Sequence, residues 1–216
     1  MSIADLSGVG VLRGRLTVPF AGLWHADLLL ATDVSVAGGQ TLTIAGVAWT
    51  CAYVRAVSFS GSRGVRVVGG TGGWRTTIQA KQYGMGTIST LTVLTDAANA
   101  CGEIVPVVDP SAPQTVGAAF LRQSGPASTV LQQVLGDAWW LDRTGTVQTA
   151  PRAGTIASRF DAMTVDGAEG LYEIATEAPN DWMPGASFSG PTVSGTISRV
   201  MMRLDPDRLR VEVLVP

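Results

Sequence analysis

Residues 49–68 read WTCAYVRAVSFSGSRGVRVV, and this stretch decides the fold. A turn of Ser-Gly-Ser-Arg-Gly at residues 60–64 separates two apolar runs, and the longer run alternates between two faces. The face expected to point to a core carries Trp49, Cys51, Tyr53, Arg55, Val57 and Phe59. A period of two is typical of a strand with one buried face, and two such runs around a glycine turn predict a β-hairpin.

Short apolar runs of the same kind lie before this hairpin, at residues 12–18, 23–31 and 41–44. No helical period is sustained over eleven residues between Val11 and Tyr83, so we expect five or six strands there. Short strands at this spacing favour a small barrel or sandwich, because these architectures leave few strand edges exposed.

The centre of the chain shows helical spacing instead. Apolar residues at Leu91, Leu94, Ala98 and Cys101 precede Gly102, which predicts a helix over residues 89–101. A second helix is expected from Gly125-Pro126 to Gly136, with proline in its first turn, and a hairpin is expected over residues 138–150.

A second hairpin is predicted at the end of the chain, where residues 196–204 and 208–215 flank an Asp-Pro-Asp turn. The sequence therefore predicts a mainly β fold with a few short helices, of the β-rich α+β class. We expect an N-terminal β-barrel at residues 1–84 and an α+β segment at 85–153. Residues 154–216 are expected to form an acidic, loop-rich stretch that returns as the C-terminal hairpin packed on the barrels.

Composition excludes several classes of protein. The chain has 216 residues, of which 46% are hydrophobic and only 15% charged, against a usual ~25%, so it is globular with an unusually uncharged surface. A net charge of −2 argues against a protein that reads a DNA sequence or binds anionic membranes. The longest apolar run, residues 26–31, is far shorter than a membrane span. The N-terminus lacks the pattern of a secretory signal, so synthesis in a bacterial cytoplasm is expected.

Two segments of the chain carry charges of a single sign. Residues 34–95 contain no carboxylate but carry Arg55, Arg63, Arg66, Arg75 and Lys81. Between Arg159 and Arg199 there are six carboxylates and no lysine or arginine. The two blocks are either solvated faces of a monomer or complementary surfaces that meet between copies of the chain.

The usual catalytic and metal-binding patterns are missing. His25 is the only histidine, and Cys51 and Cys101 lack the short spacing of zinc ligands, so both thiols are expected to be buried and inert. The glycine-rich residues 69–73 match neither the dinucleotide nor the Walker pattern and are interpreted as a turn. We therefore expect no cofactor, no metal and no catalytic residue.

Two alternatives to a purely structural role remain open. The acidic block could supply the carboxylate pair of a hydrolase from Asp161, Asp166, Glu169, Glu173 and Glu177. A carbohydrate-binding β-module could use stacking aromatic rings, for which Trp139, Trp140 and Trp182 are the candidates. For the adjacent pair, a core position for one tryptophan and a packing or subunit contact for the other is the simpler interpretation.

The order of several motifs resembles the hub proteins at the end of bacteriophage tails, which link the tail tube to a central spike or tip fibre. The resemblance rests on motifs in chain order: residues 14–19 (GRLTVP), 22–24 (GLW), 65–75 (VRVVGGTGGWR), 81–83 (KQY), the helix at 89–101, residues 139–147 (WWLDRTGTV), 197–200 (ISRV) and 207–210 (DRLR). Together they span most of the chain. Many hubs of this kind are considerably longer than this chain.

The resemblance implies a structural virion protein of the phage tail tip without enzymatic activity. Its expected fold has small β-barrel domains of the tail-tube type, and its expected assembly is a trimeric ring around a channel through which DNA passes. Its expected partners are other copies of itself, the tail-tube or distal tail protein, and the spike or tip fibre. The candidate subunit-interface residues are Arg63, Arg66, Trp74, Arg75, Trp140, Glu169 and Glu173.

Overall fold

The computed structural model describes residues 3–84, 86–156, 159–190 and 193–216, and it confirms the predicted β-rich class. The helices are α1 (Thr90–Cys101) and α2 (Ser128–Leu135), with 3-10 turns at Gly73–Arg75 and Pro179–Asp181. The strands are β1 (Ala4–Leu6), β2 (Val9–Pro19), β3 (His25–Leu30), β4 (Gly39–Ile44), β5 (Val47–Phe59), β6 (Ser62–Gly69), β7 (Thr77–Ile78), β8 (Lys81–Tyr83), β9 (Ile88–Ser89), β10 (Thr115–Gly117), β11 (Phe120–Arg122), β12 (Gly125–Pro126), β13 (Trp140–Leu141), β14 (Val147–Gln148), β15 (Gly154–Thr155), β16 (Phe160–Asp166), β17 (Leu171–Thr176), β18 (Ala186–Ser189), β19 (Ser194–Thr196), β20 (Arg199–Leu204) and β21 (Leu209–Leu214).

The first six strands close into a β-barrel in the order β1-β4-β5-β6-β3-β2, and pairing of β1 with β2 completes the circle. Inward-facing apolar residues fill it, as the period of two predicts. At its centre the rings of Trp24 and Trp49 meet edge to face, with centroids 5.2 Å apart. Both tryptophans are fully buried, so they act as the largest space-filling residues of the barrel.

One feature of β5 differs from the prediction. The alternation holds at Trp49 and Cys51, which are buried, but the register shifts between Tyr53 and Arg55. This β-bulge adds one residue and moves the later positions to the opposite face. Val57, predicted to point inward, is therefore 57% exposed. Phe59 belongs to the same predicted face, but its side chain lies outside the described part of the chain.

A second sheet continues from the barrel. The end of β2, from Gly14 to Pro19, pairs with β20, and the order then runs β20-β21-β17-β16. The predicted C-terminal hairpin is β20 with β21. The acidic block was expected to be loop-rich, and this expectation is wrong for its described residues, because they contain β16 to β19. Apolar Tyr172 and Ile174 alternate with Glu173 there, which suits a strand with one solvated face. Residues 157–158 and 191–192 of the predicted stretch 154–216 lie outside the described residues.

The helical middle of the chain packs against the barrel. Helix α1 agrees with the predicted helix and ends at Gly102, which adopts the left-handed conformation. Helix α2 begins at Ser128 rather than at the predicted Gly125-Pro126, because those two residues pair with β7. Strands β13 and β14 form the predicted hairpin, and the Trp24 indole donates a hydrogen bond to the Asp142 carbonyl in its turn.

One continuous cluster of buried apolar residues extends from Ala4 to Val213 and includes side chains from all three predicted segments. The segments therefore share a core, and the division at residues 84 and 153 stays a prediction.

A side chain of the same protein, that of Glu103, occupies the glycine-rich turn after β6. The buried Glu103 carboxylate accepts hydrogen bonds from the backbone N–H groups of Thr71 at 3.1 Å and Trp74 at 3.2 Å. Gly73 must be glycine, since a Cβ atom there would lie 2.1 Å from the Cys101 carbonyl oxygen. The turn therefore fastens the end of β6 to the end of α1.

We expect Glu103→Ala to destabilise the protein by about 2–3 kcal/mol, because it leaves two backbone donors without an acceptor in a largely buried site. Glu103→Gln retains one acceptor oxygen and is expected to cost less. Urea unfolding measures both, with Glu177→Ala at an exposed position as the control. Equal stability of Glu103→Ala and the parent would contradict the assigned role.

Candidate functional site

Eight strands form one uninterrupted antiparallel sheet in the order β5-β6-β3-β2-β20-β21-β17-β16. One face of this sheet packs on the core. The other face carries the outward positions of all eight strands. We call it the exposed sheet face.

Ion pairs on this face follow from the register. Asp27 of β3 lies opposite Arg66 of β6 and Arg15 of β2. Arg66 binds the Asp27 carboxylate through two nitrogen atoms, with Nε 2.7 Å from Oδ1. These hydrogen bonds lower the pKa of Asp27, so the pair remains ionised at neutral pH.

A buried carboxylate lies where the two halves of the sheet join. Glu212 of β21 is only 2% exposed, and its oxygens lie 3.3 Å from Arg15 Nη2 and 2.6 Å from Arg203 Nε. The neighbouring Arg210 donates to both oxygens of Glu173 on β17, at 3.0 and 3.1 Å. The ion pairs thus cross the junction between β2 and β20 and tie the barrel to the second sheet.

The exposed sheet face contains a groove of about 920 Å³, which we call the arginine groove. Five of its lining residues are arginines, and they come from four different strands: Arg13 and Arg15 of β2, Arg55 of β5, Arg66 of β6 and Arg203 of β20. Asp27 and Asp205 are the only carboxylates among its lining residues. Sequence analysis missed this cluster because its members are spread over 190 positions, and because Arg55 was assigned to the core-facing side of its strand, from which the β-bulge moves it.

The sheet has two free edges within the described residues. Strand β4 pairs with β5 only as far as Ala52, so the second half of β5 pairs with β6 alone. At the other end of the sheet, β16 pairs with β17 alone. Apolar side chains stand exposed at both edges: Val57 on β5, and Met163 and Val165 on β16.

The predicted interface residues do not form one cluster. Trp74 was predicted to lie at a subunit interface, but it is only 1% exposed. It lies inside the core of its own chain, because the glycine turn folds it under α1. Arg63 and Arg66 pair with Asp33 and Asp27 of the same chain. As interface residues, Arg63, Arg66, Arg75, Trp140, Glu169 and Glu173 stay predictions.

The aromatic platform of the carbohydrate-binding alternative is not present. Trp139 and Trp182 are buried, the latter in an aromatic cluster with Phe160 and Phe188. Trp140 is half-buried, and the guanidinium of Arg152 covers its ring at 4.3 Å. Two of the three rings are therefore buried, and one face of the third is occupied by a side chain of the same chain.

The acidic residues of the hydrolase alternative are also dispersed. Asp166 accepts hydrogen bonds from the backbone of its own turn, and Glu173 pairs with Arg210. Asp161 and Glu177 share a second open depression with Arg159 near the start of β16, at the other end of that hairpin. Their arrangement does not bring the five carboxylates into one cleft.

The thiols have the unreactive character that burial produces. Burial raises the pKa of Cys51 to about 12 and that of Cys101 to about 11, so both are protonated at neutral pH. Burial and the nearby Arg66 lower the pKa of His25. Among the described residues, no group of three or more His, Cys, Asp or Glu side chains is placed to hold a metal ion, and neither helix could cross a bilayer.

The solved structures that share this fold include phage tail proteins and a secretion-system protein similar to them. The E. coli c3393 protein is a component of the type VI secretion system, described as similar to the T4 bacteriophage tail proteins gp27 and gp5. It aligns with a TM-score of 0.63 at 13% identity, over 99% of this chain and 76% of its own. A tail protein from Neisseria meningitidis MC58 gives 0.63 at 14% identity, over 99% and 95%.

A 43 kDa tail protein of prophage MuSo2 from Shewanella oneidensis gives a TM-score of 0.61 at 12% identity, over 100% of this chain and 97% of its own. No protein-family model and no curated protein matches the chain. The chain therefore has the fold of phage tail proteins, which confirms the predicted resemblance at the level of the fold.

Proposed function

We propose that the chain is a structural subunit of a phage tail tip. Copies of it form the hub ring that connects the tail tube to the central spike or tip fibre and surrounds the DNA channel. The observation that carries this proposal is the eight-stranded sheet, which has a grooved exposed face and a free edge at each end. The similarity in fold to tail proteins supports the same conclusion.

Strand direction makes the two edges compatible. Every neighbouring pair among the eight strands is antiparallel, so β5 and β16 run in opposite directions. When β16 of one copy lies beside β5 of the next, the antiparallel order continues across the contact. This contact joins two different surfaces, and such head-to-tail contacts close into rings when the rotation permits.

The strand count favours three copies. Three sheets of eight strands make 24, and a spacing of ~4.8 Å gives a circumference of ~115 Å and a diameter of ~37 Å between backbones. Two copies would give only ~24 Å, which long arginine side chains from opposite walls would largely fill. With three copies, the exposed sheet faces line a channel wide enough for duplex DNA.

The remaining surfaces are then available to the partners that the resemblance implies. These are the tail-tube or distal tail protein on one side of the ring and the spike or tip fibre on the other. In this proposal the chain is made in the cytoplasm of a bacterial host and resides in the virion at the tail tip.

Disulfide trapping tests the ring. In the double variant Val57→Cys with Met163→Cys, oxidation is expected to link neighbouring copies through the two edges and to yield a closed species of three chains. The native thiols compete little, because burial raises the pKa of both. Non-reducing electrophoresis and native mass measurement detect the product.

The control pairs Val57→Cys with Leu121→Cys, since Leu121 is equally exposed but lies on β11, outside the eight-stranded sheet. Equal crosslinking in both variants would indicate random collision. A chain that stays monomeric at high concentration and forms no edge-to-edge crosslink would contradict the proposal.

A further inference from the structure

The fold concentrates positive charge on a chain that is negative overall. The net charge is −2, yet the arginine groove gathers five arginines against two aspartates. This concentration depends on strand register and is absent from any single stretch of sequence. A local field of this sign attracts anions irrespective of the net charge.

The register also places like charges directly opposite one another. Arg55 of β5 lies opposite Arg66 of β6, and Arg15 of β2 lies opposite Arg203 of β20. Directly opposed like charges destabilise a sheet. Glu212 forms ion pairs with both members of the second pair, whereas Asp27 forms an ion pair with Arg66 and attracts Arg55 only at longer range.

Two cations of the groove therefore lack a direct ion pair within the described part of the chain. Arg13 and Arg55 are exposed, and neither has an ion pair among the described residues. They approach the groove from opposite sides, on β2 and β5, with β3 and β6 between them. Gly64 occupies an outward position of β6, opposite Val57 and Leu29. Because glycine has no side chain, the groove is deeper at this position.

We infer that the arginine groove binds the phosphodiester backbone of double-stranded DNA, with Arg13 and Arg55 as the principal contacts. Arginine suits this ligand, because its planar guanidinium donates two parallel hydrogen bonds to a phosphate. The contacts depend on charge and carry no base readout, so binding is independent of sequence and sensitive to salt. Such binding lets DNA slide, as a channel requires.

This inference rests on the proposed function for the presence of DNA, but the groove lies within one chain. Its binding is therefore measured separately from ring formation. A ring that does not bind DNA would overturn the inference alone, whereas a DNA-binding chain that forms no ring would overturn the proposed function alone.

Fluorescence anisotropy with a short labelled DNA duplex tests the groove, at salt concentrations between about 50 and 200 mM. We expect the logarithm of the binding constant to fall linearly with the logarithm of salt concentration. Arg13→Ala with Arg55→Ala is expected to weaken binding roughly tenfold per arginine and to lower the salt slope by about 0.9 for each lost contact.

Two matched variants separate charge from folding. Arg143→Ala removes an exposed arginine outside the groove and is expected to bind DNA like the parent. Arg13→Lys with Arg55→Lys keeps both charges and is expected to retain the salt slope. Circular dichroism on each sample reports whether the variant is folded.

An acidic protein segment is the competing ligand for such a groove, and poly-glutamate serves as its probe. Binding of poly-glutamate without binding of DNA would overturn the inference. Unchanged DNA affinity and salt slope in the double alanine variant, with the fold intact, would also overturn it.

Discussion

Glutamate at both free edges of the sheet, in Val57→Glu with Met163→Glu, is expected to abolish ring formation while leaving each chain folded. Both side chains are more than half exposed, so the substitutions should change the stability of the monomer by no more than about 0.5 kcal/mol. At the proposed contact, however, the new carboxylates face each other across the joint between copies. Like charges directly opposite in a sheet repel, and the repulsion recurs at every joint of the ring.

The charge-swapped variant makes the test specific. Val57→Lys with Met163→Glu places opposite charges at the same two positions, and ring formation is expected to return. Native mass measurement follows the oligomeric state, and urea unfolding shows whether the monomer has been altered. Rings that persist in the glutamate variant, or a failure of the swap to restore them, would show that β5 and β16 do not meet.

Replacement of both partners of Glu212, in Arg15→Met with Arg203→Met, is expected to lower the free energy of unfolding by about 3–5 kcal/mol. The reason is the asymmetry of the ion pairs. Glu212 is 2% exposed, while both arginines are about half exposed, so loss of the arginines leaves a buried carboxylate without compensation. Methionine keeps most of the side-chain volume and therefore keeps Glu212 away from water.

Removal of the carboxylate itself should restore the protein. In the triple variant, with Glu212→Met added, no buried charge remains, and most of the lost stability is expected to return. Arg13→Met is the control, since Arg13 lies on the same strand without an ion pair among the described residues, and it should change stability by no more than about 0.5 kcal/mol. A double variant as stable as the parent would show that the network does not join the two sheets.

The two predictions concern different contacts, one within a chain and the other between chains. The Glu212 network holds the barrel to the second sheet within one chain, and the edges join one chain to the next. A continuous exposed sheet face requires both. Loss of the Glu212 network would open the sheet at the junction of β2 and β20. Loss of the edge contacts would leave intact monomers.

The elements that could be predicted are those with local signals. The hairpin of β5 and β6, the C-terminal hairpin and α1 all have their turn or cap residues next to an apolar pattern. The β-bulge near Tyr53 escaped prediction because one extra residue leaves the composition of the strand unchanged. Strands β16 and β17 were missed because the acidic residues Asp161, Asp166 and Glu173 interrupt their apolar pattern, which resembles a solvated loop.

The candidate site was less predictable than the fold. Among the predicted interface residues, Trp74 lies in the core, because its position depends on how the glycine turn folds against Glu103. Arg13, Arg15 and Arg203 were not singled out, since each alone is an ordinary strand residue, and Arg55 was predicted to face the core. Only the pairing of β2 with β20 and of β5 with β6 brings them to one groove.

The sequence by itself determined the β-rich class, the individual strands of the barrel, the C-terminal hairpin and the absence of the common catalytic motifs, because these depend on the order of neighbouring residues. The tertiary structure decided the closure of the barrel, the continuation of its sheet through β2 into β20, the free edges and the arginine groove. Each of these features depends on which distant strands pair and in what register. A shift of one residue turns every side chain to the other face, and local sequence does not specify that register.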